Sequence, residues 1–168
     1  MKSKGIAIAL FAAATTVGYS ATSSADICYN VEGSLTTENV TSTLQIGNVS
    51  LTLSDQSGSQ VFSETGSLVG NITGADGPGT TFLSHKARFP QGDSFITEGD
   101  VAQITGILDF DENGPCAFTI YEQITDIAKG TRFFKNVTSV NVTALGSVSN
   151  CPGLNENSFD LTGEICVE

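Results

Sequence analysis

Beyond residue 26 the apolar positions alternate with polar ones. In ICYNVEGSL the residues Ile27, Tyr29, Val31 and Leu35 are odd-numbered, and in SFDLTGEICVE Phe159, Leu161, Ile165 and Val167 are too. FLSHKARF sets Leu83, Ala87 and Phe89 against Ser84, Lys86 and Arg88. A period of two describes strands with one face on a core. No stretch repeats apolar residues at i, i+3, i+4 and i+7 over three turns, so no helix is expected in this part of the chain. Thr, Val, Ile and Phe suit a pleated, half-buried surface. The clusters SDQSGS, GADGPG, FPQGDS, DENGP and CPGLNENS mark turns. Strands are predicted near residues 27–35, 40–53, 59–64, 67–73, 80–89, 94–99, 101–110, 116–127, 136–149 and 158–167. The fold class that follows is all-β: a single antiparallel β-barrel of about eight strands, or alternatively a β-sandwich.

Two breaks in the alternation predict local irregularities. In LQIGNVSLTL the apolar set moves from Leu44 and Ile46 to Val49, Leu51 and Leu53, which predicts a bulge or tight bend at Gly47-Asn48. In KNVTSVNVTALG, Val137 is odd while Val140, Val142 and Ala144 are even, which predicts a bulge near Ser139. Bulges bend a strand, as the wall of a barrel requires.

Residues 1–25 have a different character. Lys2 and Lys4 precede an apolar run from Ile6 to Val17, and small residues end in Ser23-Ser24-Ala25. This is the form of a secretory signal peptide, removed to leave a single domain over 26–168 that is secreted or periplasmic. The run is shorter than the roughly 20 apolar residues that span a bilayer, so no membrane association is expected after removal. Without the leader, five basic residues stand against 18 acidic ones, whereas the full chain carries a formal charge of −11. Nucleic acid and anionic lipid are recognised by Lys and Arg, so such a surface repels both.

Export gives the cysteines their reading. Cys28, Cys116, Cys151 and Cys166 form an even set, for which two disulfides are expected. Alternation places Cys28 and Cys166 on the polar faces of the first and last strands. If those strands are neighbours in a closed sheet, the pairs are Cys28–Cys166 and Cys116–Cys151. With no C-x-x-C pair and one histidine, the sequence does not point to a zinc site.

Two polar residues share parity with the core. His85 is in phase with Leu83, Ala87 and Phe89; Glu122 is in phase with Phe118, Ile120 and Ile124. An inward imidazole and an inward carboxylate make a candidate catalytic base and acid, or a structural hydrogen-bonded pair. A second candidate is DFDENG, where Asp109, Asp111 and Asn113 have the early spacing of a calcium loop, although its twelfth position holds Ile120 rather than Glu. A polar hairpin turn explains the same residues. No other cofactor is expected, since no P-loop, dinucleotide fingerprint, G-x-S-x-G or H-E-x-x-H is present.

The stretch IYEQITDIAKGTRFFKNVTSVNVTALGSV resembles the allene oxide cyclase and dirigent superfamily of eight-stranded barrels. There a Tyr-Glu strand runs into a Gly-Thr turn, a Phe, and a strand closing on Gly; here these are Tyr121 and Glu122, Gly130 and Thr131, Phe133 or Phe134, and Gly146. Lys129 and Arg132 depart from the usual turn. The resemblance implies an apolar cavity for a lipid- or phenol-derived ligand, with cyclisation or stereochemical guidance as its chemistry.

Three functional readings remain open. The protein is an exported acidic barrel binding a small apolar ligand inside, a structural or surface protein with a filled core, or a cyclase- or isomerase-like enzyme. The sequence carries no signal for an oligomeric state. Five N-x-[ST] sequons open at Asn39, Asn48, Asn71, Asn136 and Asn141. Asn and Thr alternating with Val also spell a strand with one wet face, the reading adopted for Asn136 to Thr143.

Overall fold

The computed structural model describes residues 26–168; the leader expected over 1–25 lies outside the described residues. The strands are β1 (Ile27–Asn39), β2 (Leu44–Ser54), β3 (Gln60–Ala75), β4 (Thr80–Arg88), β5 (Ser94–Thr97), β6 (Asp100–Asp111), β7 (Gly114–Ile124), β8 (Ile127–Thr131), β9 (Val137–Ser149) and β10 (Asn157–Val167). A 3-10 turn, Arg132–Phe134, separates β8 from β9. All strands join one antiparallel sheet in the order β3-β2-β1-β10-β9-β7-β6-β4-β5-β8. β3 also pairs with β4, which closes a ring through eight strands and leaves a barrel-like wall.

The two strands outside the ring continue two of its members. Thr80–Leu83 of β4 pair with β6, and Lys86–Arg88 of the same strand pair with β5. In the same way β8 follows β7, pairing with β5 where β7 pairs with β6. The wall therefore has eight staves, two of them broken, at Glu98-Gly99 and at Thr125-Asp126. Gly99 has φ +74°, a conformation costly for a side chain, and this lets the chain jog between β5 and β6. β9 pairs with β7 only from Val142 onward, so its first residues lie beside β8 without a ladder among the described residues.

Alternation puts Val31, Leu35, Val49, Leu51, Leu53, Leu68, Val142, Leu161 and Ile165 into one core. Each such side chain stabilises the fold by about 1.5–3 kcal/mol when fully withdrawn from water. One end of the barrel is plugged by aromatic rings. Phe62 packs against Phe89, Phe133 and Phe134 at centroid distances of 5.1, 5.6 and 5.3 Å, and Phe95 meets Phe134 at 5.0 Å. Phe133 and Phe134 reach the plug because the chain folds back on Gly130, where a Cβ would lie 1.8 Å from the Phe134 carbonyl oxygen. The opposite end, where β1, β3, β7 and β9 meet their turns, is open.

The disulfides are Cys28–Cys166 and Cys116–Cys151, the pairs that strand parity predicts. Cys28 stands directly opposite Cys166 in the β1–β10 ladder. Two disulfides fit an oxidising compartment, and among the described residues no helix is long and apolar enough to cross a membrane.

Three local expectations need correction. The segments 59–64 and 67–73 form one strand, β3, running through Gly66; a Cβ there would come within 2.3 Å of the Arg88 carbonyl oxygen, so this glycine permits close approach rather than a turn. The segment expected over 116–127 ends at Ile124, and β8 begins after the break. Finally, β2 has no bulge at Gly47-Asn48, since its register with β1 and β3 runs unbroken there. Leu44 and Ile46 are not core residues displaced by a bulge: Ile46 is 46% exposed, and the inner face at this end is polar. The bulge near Ser139 is present, where Cys166 pairs with Ser139 and Val167 with Val137.

Candidate active site on a buried polar layer

His85, Asp100 and Glu122 meet in the middle of the barrel, all three buried. Their convergence follows from the broken staves. β4 carries His85 inward in phase with Leu83 and Ala87, and β7 carries Glu122 inward opposite Ala102 of β6. Asp100 is the first residue of β6, delivered inward by the jog at Glu98-Gly99, and is 0% exposed. His85 Nδ1 lies 2.9 Å from Asp100 Oδ2 and 3.5 Å from Glu122 Oε1. Gly70, directly across the ladder from His85, leaves room for the ring: a Cβ there would be 3.3 Å from Nε2.

A hydroxyl fixes the second layer. Thr97 donates to Asp100 Oδ2 and accepts the backbone N–H of His85 at 3.0 Å, while its own carbonyl accepts from Ser84 Oγ at 2.7 Å. Two oxygens remain without a hydrogen-bond partner, Asp100 Oδ1 and Glu122 Oε1. Buried polar atoms are nearly always paired, so two orphans in one cluster ask for an explanation.

Proton affinities in the cluster are coupled. Burial opposes a charged imidazole at His85, but the hydrogen bond that its ring N–H donates to Asp100 and the coulombic pull of Glu122 and Asp100 outweigh it, so His85 titrates above its ordinary value. Burial also raises Glu122; the His85 charge opposes that rise and the Asp100 charge adds to it. Both shifts favour the protonated forms of His85 and Glu122, which sets two potential proton donors side by side in one buried site.

His85 also separates two spaces. Above it, a cavity of about 350 Å³ opens at the unplugged end, with Glu122 and His85 at its floor and Ile72, Leu83, Phe118, Val148 and Phe159 in its walls. Below it lies an apolar void of about 40 Å³ bordered by Leu51, Phe95, Ile124 and Val142. The rim of the upper cavity is amide-rich. Asn157, 0% exposed, donates to Thr37 Oγ1 at 3.1 Å and to Asn39 Oδ1 at 2.9 Å, and Gln45 Nε2 donates to the same Asn39 oxygen at 3.0 Å. A larger depression of about 590 Å³ lies on the outer wall over Thr36, Asn48 and Ser67. It is shallow and touches none of the buried cluster, so the inner cavity is the better site candidate.

Of the residues singled out from sequence, His85 and Glu122 are brought together. Asp109, Asp111 and Asn113 sit at the tip of the β6–β7 hairpin, where Asp109 Oδ1 accepts from Phe110 N and Asp111 Oδ1 from Asn113 N, at 2.8 and 2.7 Å. Among the described residues, only two groups of three or more His, Cys, Asp or Glu side chains converge within 4.8 Å, namely His85–Asp100–Glu122 and Cys28–Glu164–Cys166. The loop acids are in neither, and the sulfurs of the second group are joined in a disulfide. Sequence reasoning missed Asp100, Thr97 and Asn157. Asp100 had a usable signal, since it shares even parity with Ala102 and Ile104 immediately after a Gly. No family model, curated protein or solved structure matches this chain.

Proposed function

We propose that this is an exported binding protein that takes a small, largely apolar molecule into the mouth of its barrel, with a polar group of that molecule meeting Glu122 and His85. One observation carries the reading: a cavity of about 350 Å³ with aliphatic and aromatic walls ends on two buried polar side chains. Ligand sites commonly combine apolar walls with a few convergent polar groups, in volumes of about 300–1,000 Å³. The orphaned Glu122 Oε1 offers the ligand a hydrogen-bond partner at the floor. Export rests on the leader-like residues 1–25 and on the two disulfides. A structural role draws support from the plugged and nearly filled lower half, but a merely structural barrel has no need of an open upper cavity over a charged layer.

A second reading is an enzyme that guides cyclisation or isomerisation, the chemistry implied by the resemblance around Tyr121–Gly146. It is favoured by two buried titratable side chains, His85 and Glu122, meeting at the cavity floor. Native mass spectrometry of the protein from its own source, together with titration of the neutral fluorescent probe N-phenyl-1-naphthylamine, tests both. Binding predicts a copurifying small molecule and saturable probe uptake that the released molecule displaces. Turnover of that molecule, lost in Glu122→Gln, would favour the enzyme. Absence of both a copurifying molecule and probe uptake would refute the ligand-binding reading.

A further inference from the structure

We propose that His85 Nδ1, with one carboxylate oxygen each from Asp100 and Glu122, binds a divalent transition-metal ion at the floor of the mouth cavity. This goes beyond ligand binding and does not depend on it, because an ion can occupy the cluster with or without an organic molecule above it.

The argument begins with distances. Bonds of about 2.1 Å from one ion place neighbouring ligand atoms about 3.0 Å apart in octahedral and about 3.4 Å apart in tetrahedral geometry. The imidazole nitrogen stands 2.9 Å from Asp100 Oδ2 and 3.5 Å from Glu122 Oε1, and one ligand atom from each of the three residues falls within a 4.8 Å group. Removal of the Nδ1 proton and a small shift of the three side chains toward a common centre completes a three-ligand site.

Donor chemistry and pairing point the same way. Two carboxyl groups face one imidazole in a space almost closed to water, which makes a compact set of oxygen and nitrogen donors. The two unpartnered oxygens, Asp100 Oδ1 and Glu122 Oε1, are on side chains that are 0% and 4% exposed as residues. An ion ligated by Glu122 Oε1 supplies the partner that this oxygen lacks. Thr97 provides the outer support such sites use, holding Asp100 Oδ2 by its hydroxyl and the His85 backbone by hydrogen bond. The cavity supplies an entry path and leaves the remaining coordination positions to water or a ligand oxygen.

Ligand chemistry narrows the ion. One imidazole with two carboxylates suits Zn²⁺, Mn²⁺ or Fe²⁺, whereas Ca²⁺ prefers a shell of six to eight oxygens. With positions open toward the cavity, an organic ligand bearing an oxygen donor, such as a carboxylate or enolate, would bind through the ion.

The test uses the oxidised protein, freed of metal by chelator, titrated separately with ZnCl₂ and MnCl₂ by calorimetry, with Co²⁺ absorption as a report on ligand geometry. Saturation at one equivalent is expected for at least one ion. Glu122→Gln and Asp100→Asn should each weaken it by about tenfold or more, the scale seen when metal-site support is lost. His85→Asn should abolish the shift of the Co²⁺ spectrum away from that of the hydrated ion. If a variant does not fold, the wild-type Co²⁺ spectrum decides, because a spectrum identical to the hydrated ion overturns the proposal. So does wild-type heat that is absent for both metals, or that persists unchanged in folded Glu122→Gln. The organic ligand is absent throughout, so failure here leaves the binding reading standing, and failure of probe uptake leaves the metal site standing.

Discussion

Ala102→Leu separates a working cavity from packing space. Ala102 lies on β6 between Thr81 of β4 and Glu122 of β7, and its methyl group forms part of the mouth-cavity wall. Leu adds three carbons, each contributing about 0.8 kcal/mol when taken out of water, or about 2.4 kcal/mol in total. Ordering the longer side chain costs about 0.5–1 kcal/mol. The open mouth also leaves part of the new surface wet, so a net gain of about 1 kcal/mol is expected. For a domain of this size that raises Tm by about 3 °C. The same side chain narrows a cavity of about 350 Å³ directly over Glu122, so uptake of N-phenyl-1-naphthylamine should fall at least tenfold. Urea denaturation and probe titration on one preparation read both effects. The combination of higher stability and lost binding is the mark of space kept for an occupant at a cost in stability. A variant destabilised by more than 1 kcal/mol would show that the wall is already close-packed, and unchanged probe uptake would place the ligand elsewhere. Either result refutes the reasoning.

Other outcomes follow from the same geometry. His85 and Glu122 both bind their protons more tightly in the fold than at their ordinary values of 6.5 and 4.5, so the stability this contributes is full below those values and is lost as pH rises through the raised ones. Metal-free protein should therefore lose Tm as pH rises above 4.5, and Glu122→Gln should flatten that slope; an equal slope in the variant would assign the loss to the net negative surface. Replacing Cys28 and Cys166 by Ser opens a loop of sequence separation 138, against 35 for Cys116 and Cys151. Chain entropy puts the upper costs at about 5 and about 4 kcal/mol. Chemical denaturation of the two double variants should rank them in that order, and a reversal by more than 1 kcal/mol would defeat the entropic account. Millimolar Ca²⁺ should leave Tm unchanged, since Asp109 and Asp111 already accept backbone N–H groups. A rise that Asp111→Asn removes would restore the hairpin as a calcium site.

The residues whose environment was legible in the sequence are those whose role depends on parity alone. His85 and Glu122 point inward because their neighbours at ±2 do, and Cys28 faces Cys166 because both break the apolar pattern on adjoining strands. The bulge at Ser139 was legible for the same reason: an inserted residue shifts parity. Parity misled at Gly47, where the inner face turns polar at the mouth and apolar residues move outward. Parity alone put Asp100 in phase with Ala102, but its meeting with His85 depends on the jog between β5 and β6 and on the neighbour they share, a long-range fact absent from local spacing. The volume and position of the cavity were also beyond reach, since they depend on how eight staves are sheared against one another.

The Cys28–Cys166 bond has a mechanical consequence. It joins the first and last strands where their backbones lie side by side, so within the oxidised domain the path from Cys28 to Cys166 is one covalent bridge with the barrel hanging from it as a closed loop. A load applied through residues on either side of that bridge passes across the sulfurs and leaves the hydrogen-bonded ladders unstretched. Pulled from both ends in a single-molecule force experiment, the oxidised protein should show almost no extension from the barrel, and addition of a reductant should release the length of the loop at once.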